Sequence, residues 1–220
     1  MLDYFFKGGF TMYPLLALSI ASLAVIVERV LALRRASTDT EAFMAEVARA
    51  IEAEQYEQAL ETAQKGTGVM ARILAAGIEK ARKGKAEVEK AIEGRGNIEI
   101  GKLERGIPFL KAVTQTAPLL GFYGTVSGMI KAFESMGLRG LADTSSMALG
   151  ISEALITTAA GLVIAIPVAF AVSLFVGRIG RFVQDLQEIS MRFLAALEEV
   201  EEKQARRLAR DEIGGDYLEV

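Results

Sequence analysis

Three long stretches of the chain contain no charged residue. They comprise residues 8–27, 112–130 and 154–177 and run for 20, 19 and 24 residues. A helix needs about 20 apolar residues to cross a hydrocarbon core about 30 Å thick. The pattern therefore predicts three transmembrane helices and an all-α, polytopic membrane protein.

Basic residues beside these stretches predict how the chain is oriented. Arg34 and Arg35 follow the first stretch, and Arg178 and Arg181 follow the third, whereas the link over residues 134–146 is poor in basic residues. Loops rich in Lys and Arg stay on the cytoplasmic side of a membrane. We therefore expect a periplasmic N-terminus and link, with residues 34–106 and the C-terminal tail in the cytoplasm.

The segments outside the membrane follow a helical pattern of apolar and charged positions. Breaks fall at Gly66, Gly84 and Gly94. The helices predicted between residues 34 and 106 cover 41–53, 54–65, 67–83 and 87–93.

Beyond the third stretch, apolar residues continue at a spacing of three or four. This spacing predicts that the helix leaves the membrane as an amphipathic helix with one stripe for a partner. The stripe comprises Phe182, Leu186, Ile189, Phe193, Leu197 and Val200. We expect the charge-rich residues 198–220 to fray.

These elements divide the chain into four predicted segments. The first holds an interfacial segment and the first transmembrane helix, the second the cytoplasmic helices, the third the remaining two transmembrane helices and the fourth the C-terminal helix and tail. Their bounds are residues 1–33, 34–106, 107–177 and 178–220.

Composition excludes several classes of function. Hydrophobic residues make up 51% of the chain and charged residues 24%, with a net charge of −3 and no Cys or His. Thiol chemistry, disulfides and the commonest metal ligands are therefore missing. Without a basic patch, nucleic acid is not an expected partner. No phosphate-binding glycine loop or pair of membrane carboxylates is present, so we predict neither an enzyme nor a bound cofactor or metal.

The second and third stretches each carry a face of small residues. In lipid, such faces let helices approach closely, and close packing alone is sufficient to explain the glycines. The predicted packing residues are Gly121, Gly124, Gly128, Gly161 and Ala165.

Three threonines and one glutamate suggest more than packing. Thr125, Thr157 and Thr158 lie within the apolar stretches, and Glu153 lies one helical turn before Thr157. Each hydroxyl can bond to a carbonyl of its own helix, or it can line a polar path. Glu153 is either a first-turn carboxylate favoured by the helix dipole or a functional ionisable group. We take these four residues as candidates for an ion path.

No group within the stretches titrates near neutral pH. If protons cross here, another chain must supply the titrating group. Three helices are also too few to enclose a pore around such a group, which implies self-association.

The segment APLLGFYGTVSGMIKAF at residues 117–133, followed by GISEALITTAAGLVIAIP at 150–167, closely resembles the signature of the ExbB/TolQ/MotA proton-channel family. The layout resembles the ExbB and TolQ branch, because MotA-type stators have four spans. Tyr123 departs from the pattern, since a smaller aliphatic residue is common there.

The resemblance implies an inner-membrane motor subunit that forms a pentamer around an ExbD/TolR-type dimer. Each single-span partner would contribute a membrane aspartate that takes up and releases protons. A TonB- or TolA-type protein would be a further partner of the complex. Thr125 and Thr158 would line the pore, with Glu153 near its outer mouth.

We therefore expect a proton-driven motor subunit that energises transport at the envelope, such as TonB-dependent uptake. A TolQ-like role in envelope maintenance, or a stator for another surface machine, is the alternative within this class. A non-conducting membrane scaffold is the alternative from another class. Sodium stays open as the coupling ion, because hydroxyls and carbonyls also line sodium paths.

Overall fold

The computed structural model describes residues 2–36, 46–47, 49–51, 53, 55–66, 68–139 and 144–215. In this part of the chain every regular element is a helix, which confirms the all-α prediction. A short 3₁₀ turn covers Ala81–Lys83. The α-helices are α1 (Leu2–Lys7), α2 (Met12–Ala36), α3 (Tyr56–Lys65), α4 (Val69–Ile78), α5 (Lys85–Glu104), α6 (Ile107–Arg139) and α7 (Thr144–Gly215).

The helices form two compact units. Unit 1 comprises Met1–Leu31 and Glu104–Gly177, and unit 2 comprises Ala32–Leu103 and Arg178–Val220. Unit 1 therefore holds α1, most of α2, α6 and the first part of α7. Unit 2 holds α3, α4, nearly all of α5 and the later part of α7.

In unit 1, a glycine turn brings the start of α6 against α2. Gly106 has φ +83°, a conformation that side chains rarely adopt. A Cβ at this position would lie 2.9 Å from Cγ1 of Val25 on α2. Glycine is therefore required at the turn both for its backbone conformation and for space.

Unit 1 exposes many large apolar side chains along α2, α6 and α7. Leaving so much apolar surface in water is unfavourable, whereas hydrocarbon solvates it at no cost. This surface is suited to lipid. Its most exposed members include Ile20, Leu23, Leu119, Phe122, Phe133, Val163, Ile166 and Phe170.

Two helices in the described part of the chain are long and apolar enough to span a membrane. They are Met12–Arg34, within α2, and Ser145–Val200, within α7. Helix α6 falls short of this criterion, because polar residues such as Gln115 and Thr116 dilute its apolar residues. Two of the three predicted spans are thus supported by length and composition, and the span in α6 stays a prediction.

Unit 2 has an apolar core to which α4, α5 and α7 all contribute. Gly77 of α4 marks the closest approach, since a Cβ there would lie 2.7 Å from Cγ1 of Ile92 on α5 and 3.5 Å from Cε1 of Phe193 on α7. The buried core residues of this unit include Ile73, Leu74, Val88, Leu186, Leu197 and Val200. Most of the apolar stripe on α7 that was predicted to bind a partner is therefore buried within this chain.

A buried carboxylate lies at the centre of a charged cluster in unit 2. The side chain of Glu99 is only 1% exposed, and its oxygens accept from Arg72 at 3.0 Å, Arg95 at 3.0 Å and Lys102 at 2.8 Å. Burial alone would raise the pKa of Glu99, but the hydrogen bonds and charges of Arg72 and Lys102 outweigh it. The pKa of Glu99 therefore lies below its ordinary value of 4.5.

Several predicted helix boundaries differ from the structure. Most of the helix predicted over 41–53 lies outside the described residues, although 46–47 and 49–51 are helical. The helix predicted over 67–83 ends at Ile78, and a 3₁₀ turn follows. The predicted break at Gly94 is wrong, because α5 continues to Glu104.

The C-terminal region is more regular than predicted. Helix α7 continues to Gly215, so the prediction that the chain frays from residue 198 is wrong as far as this point. Residues 216–220 lie outside the described part. Pairs spaced by four residues stabilise this surface, among them Glu199 with Lys203 at 2.8 Å and Glu202 with Arg206 at 3.2 Å.

Candidate functional site between helices α6 and α7

Glycines bring α6 and α7 into direct backbone contact. A Cβ on Gly121 would lie 2.8 Å from the carbonyl oxygen of Thr157, and one on Gly161 would lie 2.5 Å from that of Ala117. Gly128 and Gly150 face each other in the same way, with distances of 2.6 and 2.7 Å to the opposing carbonyl oxygens. Any larger residue would push the helices apart. Gly150 was not among the predicted packing residues.

Two threonine hydroxyls meet between these glycine contacts. The hydroxyls of Thr125 on α6 and Thr158 on α7 contact each other directly. Oγ1 of Thr125 lies 3.1 Å from the carbonyl oxygen of Ala154, and Oγ1 of Thr158 lies 3.3 Å from that of Gly121, so each reaches the opposite helix. Both side chains are only half-buried. The structure thus unites two candidates in a cluster of four oxygen atoms.

Thr157 lies in a different environment from Thr158. Its side chain has no exposed surface, and its hydroxyl lies 2.9 Å from the carbonyl oxygen of Ala154 and 3.1 Å from that of Glu153. The rest of the side chain fills the space left by Gly124, where a Cβ would lie 2.5 Å from Cβ of Thr157. Within this fold, Thr157 packs the helix pair. Ala165, further along α7, is buried too.

Glu153 forms an ion pair that the sequence did not indicate. Its Oε1 lies 2.6 Å from Nζ of Lys131 on α6, and the side chain of Glu153 is 14% exposed. The two residues are 22 positions apart in the chain and lie on different helices. Their pairing can be seen only once the alignment of α6 against α7 is known.

The chemistry available between the two helices is that of hydroxyl and carbonyl oxygens. Such oxygens can order water or coordinate a cation, but they cannot hold the charge of a transferred proton. The described residues contain no cluster of acidic side chains able to hold a metal ion. Any proton carrier at this level must therefore come from outside the helix pair.

Comparison with known proteins indicates what this arrangement resembles. The profile of the MotA/TolQ/ExbB proton channel family matches residues 65–188, which include the whole α6–α7 contact.

Three relatives illustrate the similarity. The biopolymer transport protein ExbB-like 1 of Synechocystis sp. is 34% identical over 201 residues, covering 90% of this chain and 76% of the relative. An ExbB homolog of Methanothermobacter thermautotrophicus is 31% identical over 180 residues, covering 81% and 64% of the two chains. The Tol-Pal system protein TolQ of Pseudomonas aeruginosa is 42% identical over 85 residues, which is 37% of each chain.

Proposed function

Because the chain belongs to the MotA/TolQ/ExbB proton channel family, we propose that it is an inner-membrane channel subunit that couples proton flow to work at the cell envelope. The names of its relatives, which include biopolymer transport proteins and a Tol-Pal component, support such a role. The Thr125–Thr158 contact is the observation that carries the proposal. It joins two half-buried threonines across a helix pair whose facing segments carry no charged residue.

The proton carrier is a carboxylate borrowed from a partner. Between Lys111 and Lys131 on α6, and between Glu153 and Arg178 on α7, no residue is charged. A single-span protein of the ExbD/TolR type would supply a membrane aspartate opposite the hydroxyls. The hydroxyls would then hold water beside that aspartate while it exchanges protons.

Three helices of this chain cross the membrane in this account. Helix α6 contains an uninterrupted run of 19 uncharged residues, which at 1.5 Å each rises about 29 Å, close to the hydrocarbon thickness. Its exposed apolar face, with Leu119, Phe122 and Phe133, supports contact with lipid or with another subunit. The arginines beyond the first and third spans support a periplasmic N-terminus and a cytoplasmic C-terminus.

Several copies of the chain assemble around the partner, and a pentamer is the form that the family resemblance favours. One α6–α7 pair presents hydroxyls on a single side, so a closed path needs further copies. The client is a TonB-type or TolA-type protein, which places the system in uptake or in envelope maintenance. The oxygen-only lining is also compatible with sodium as the coupling ion.

A scaffold without conduction is the competing account, and reconstitution distinguishes the two. The chain is co-expressed with a neighbouring gene product that has one span with an aspartate, and subunits in the purified complex are counted by native mass spectrometry. We expect several copies of this chain around fewer copies of the partner, and acidification of liposomes under an imposed potential. A complex that forms but moves no protons would overturn the proposal in favour of the scaffold.

A further inference from the structure

Glu153 lies close to the turn that follows α1 and to Lys131 on α6. Lys131 approaches the carboxylate from α6 at 2.6 Å. The lysine side chain is 53% exposed, whereas that of Glu153 is 14% exposed. The carboxylate is thus held in place, while its cationic partner retains room to move away into solvent.

A glycine turn covers the same carboxylate from the side of α1. Gly9 has φ +64°, and a Cβ there would collide with Oε1 of Glu153 and lie 2.9 Å from its Cδ. The adjacent Gly8 is pressed against α7, since its Cβ would lie 3.2 Å from Cγ2 of Ile156. The turn between α1 and α2 therefore closes directly over Glu153.

A cavity of about 290 Å³ adjoins the ion pair. It is large enough for several water molecules, and six of its eight lining residues have polar side chains that can hydrogen-bond to water. The ionisable groups facing it are Lys7 from α1, Lys131 from α6 and Glu153 from α7. Hydroxyls of Ser135, Ser146 and Ser152 complete its polar wall.

We infer that Lys131 and the Gly8–Gly9 turn form an ion-pair gate at Glu153. Lys131 is a positioning residue that neutralises the carboxylate and fixes its place under the turn. A cation entering from the cavity must displace Lys131 before it reaches Glu153, so the pair controls which cations pass this end of the helix pair. This inference rests on the proposed function, since a gate requires a path.

The first test exchanges the two charges in the reconstituted complex. Lys131→Glu removes the cation that must be displaced and should raise proton flux up to about fivefold, whereas Glu153→Lys places two cations beside the cavity and should lower it by a similar factor, because exposed or half-buried pairs contribute up to about this factor. The double variant, which restores the pair in reverse, should return the flux to within about twofold of the wild type. Unchanged flux in both single variants would overturn the gate. Lys131→Arg, which keeps the positive charge, should retain most of the wild-type flux.

The second test measures coupling without flux. In the detergent-purified chain, the effects of Lys131→Met and Glu153→Gln on the unfolding midpoint should be non-additive, because each variant removes the same interaction. Additive effects would show that the residues do not interact and would overturn the pair. If the pair is coupled but the wild-type complex carries no protons, the proposed function fails and the gate fails with it, while the ion pair stands.

The third test isolates the glycine turn. Gly9→Ala strains a positive φ and also adds a Cβ that meets the carboxylate of Glu153. Replacing Glu153 by alanine removes the second effect and leaves the first. Gly9→Ala should therefore lower the unfolding midpoint more in the wild-type chain than in a Glu153→Ala background. An equal loss in both backgrounds would contradict closure of the turn over Glu153.

Discussion

Thr125 on α6 and Thr158 on α7 contact each other through their hydroxyls, and both hydroxyls lie within 3.3 Å of the carbonyl oxygen of Ala154. The contact depends on the glycines that bring the two backbones together. Each hydroxyl also lies near a carbonyl oxygen of its own helix, that of Gly121 for Thr125 at 3.4 Å and that of Ala154 for Thr158 at 3.3 Å, so the pair bridges the two helices. This cross-helix contact links the packing of unit 1 to its proposed function.

Removing the Thr158 hydroxyl should impair function more than assembly. Thr158→Val keeps the shape of the side chain but loses about one hydrogen bond, which corresponds to roughly fivefold in rate if the hydroxyl holds water in the path. Thr125→Val should show a weaker version of the same effect. Thr158→Ser, which keeps the hydroxyl, is the matched control. Activity in cells is normalised to the amount of protein in the membrane, and a fully active valine variant would refute the role.

Enlarging a glycine at the helix contact should disrupt the helix pair. Gly121→Ala or Gly161→Ala introduces a Cβ within 2.8 Å of a backbone carbonyl oxygen, which cannot move like a side chain. Overpacking of this kind costs about 1–3 kcal/mol. Gly137→Ala, where a Cβ meets nothing within 4 Å, should be neutral or slightly stabilising. Thermal unfolding in detergent compares the three variants, and equal midpoints would contradict the close contact.

The charge cluster around Glu99 should make unit 2 sensitive to acid. Because the pKa of Glu99 is lowered in the folded chain, its stabilising contribution is present above pH 4.5, and it is lost as the pH falls through the folded value. Glu99→Gln should lower stability at neutral pH by about 2 kcal/mol, because it weakens hydrogen bonds to charged partners around a buried group. It should also flatten the acid dependence.

Glu57→Gln provides the matched control for Glu99. Glu57 pairs with Arg82 at 3.2 Å, but its side chain is 90% exposed. Its loss should change the unfolding curve little, because solvent screens exposed pairs. Denaturant titrations from pH 7 down to about pH 2 compare both variants with the wild type, because the contribution of Glu99 is lost only below pH 4.5. Identical acid dependence in all three would contradict the role assigned to Glu99.

Orientation in the membrane can be tested with single cysteines, because the natural chain has none. Gln58→Cys and Lys203→Cys should resist a membrane-impermeant thiol reagent in intact cells, whereas Gly137→Cys should react. Labelling after lysis controls for accessibility at all three positions. Reaction at positions 58 and 203 with protection at 137 would invert the topology, and Glu153 would then face the cytoplasm.

The sequence predicted the helices of unit 1 well because membrane helices have a strong one-dimensional pattern. Uncharged stretches and small-residue faces are local features, and both can be identified without knowledge of the contacts between helices. Helix α6 is not apolar enough to be identified as a membrane span from its composition, which shows the limit of this pattern. A helix in which threonines, serines and glycines replace apolar residues has a lower mean hydropathy and is harder to identify as a span.

Features that depend on tertiary contacts were missed. Helix α5 continues through the predicted break at Gly94, and a Cβ on Gly96, two residues further on, would lie 3.2 Å from Cδ2 of Leu186. The pairing of Arg72 with Glu99 joins residues 27 positions apart, and that of Lys131 with Glu153 joins residues on two helices. Neither pairing has a signal in sequence spacing. Gly9 has no such signal either, because its importance comes from a distant carboxylate.

The central claim is that the proton carrier is borrowed, and proton flux into liposomes under an imposed potential tests it most directly. Three preparations are compared: the chain alone, the chain with its single-span partner, and the chain with a partner whose membrane aspartate is replaced by asparagine. An uncompensated charge at the bilayer centre costs several kcal/mol, and hydroxyls alone do not compensate it. We predict strong flux only with the intact partner. Strong flux from the chain alone would contradict the account, because the path would then need no borrowed carboxylate.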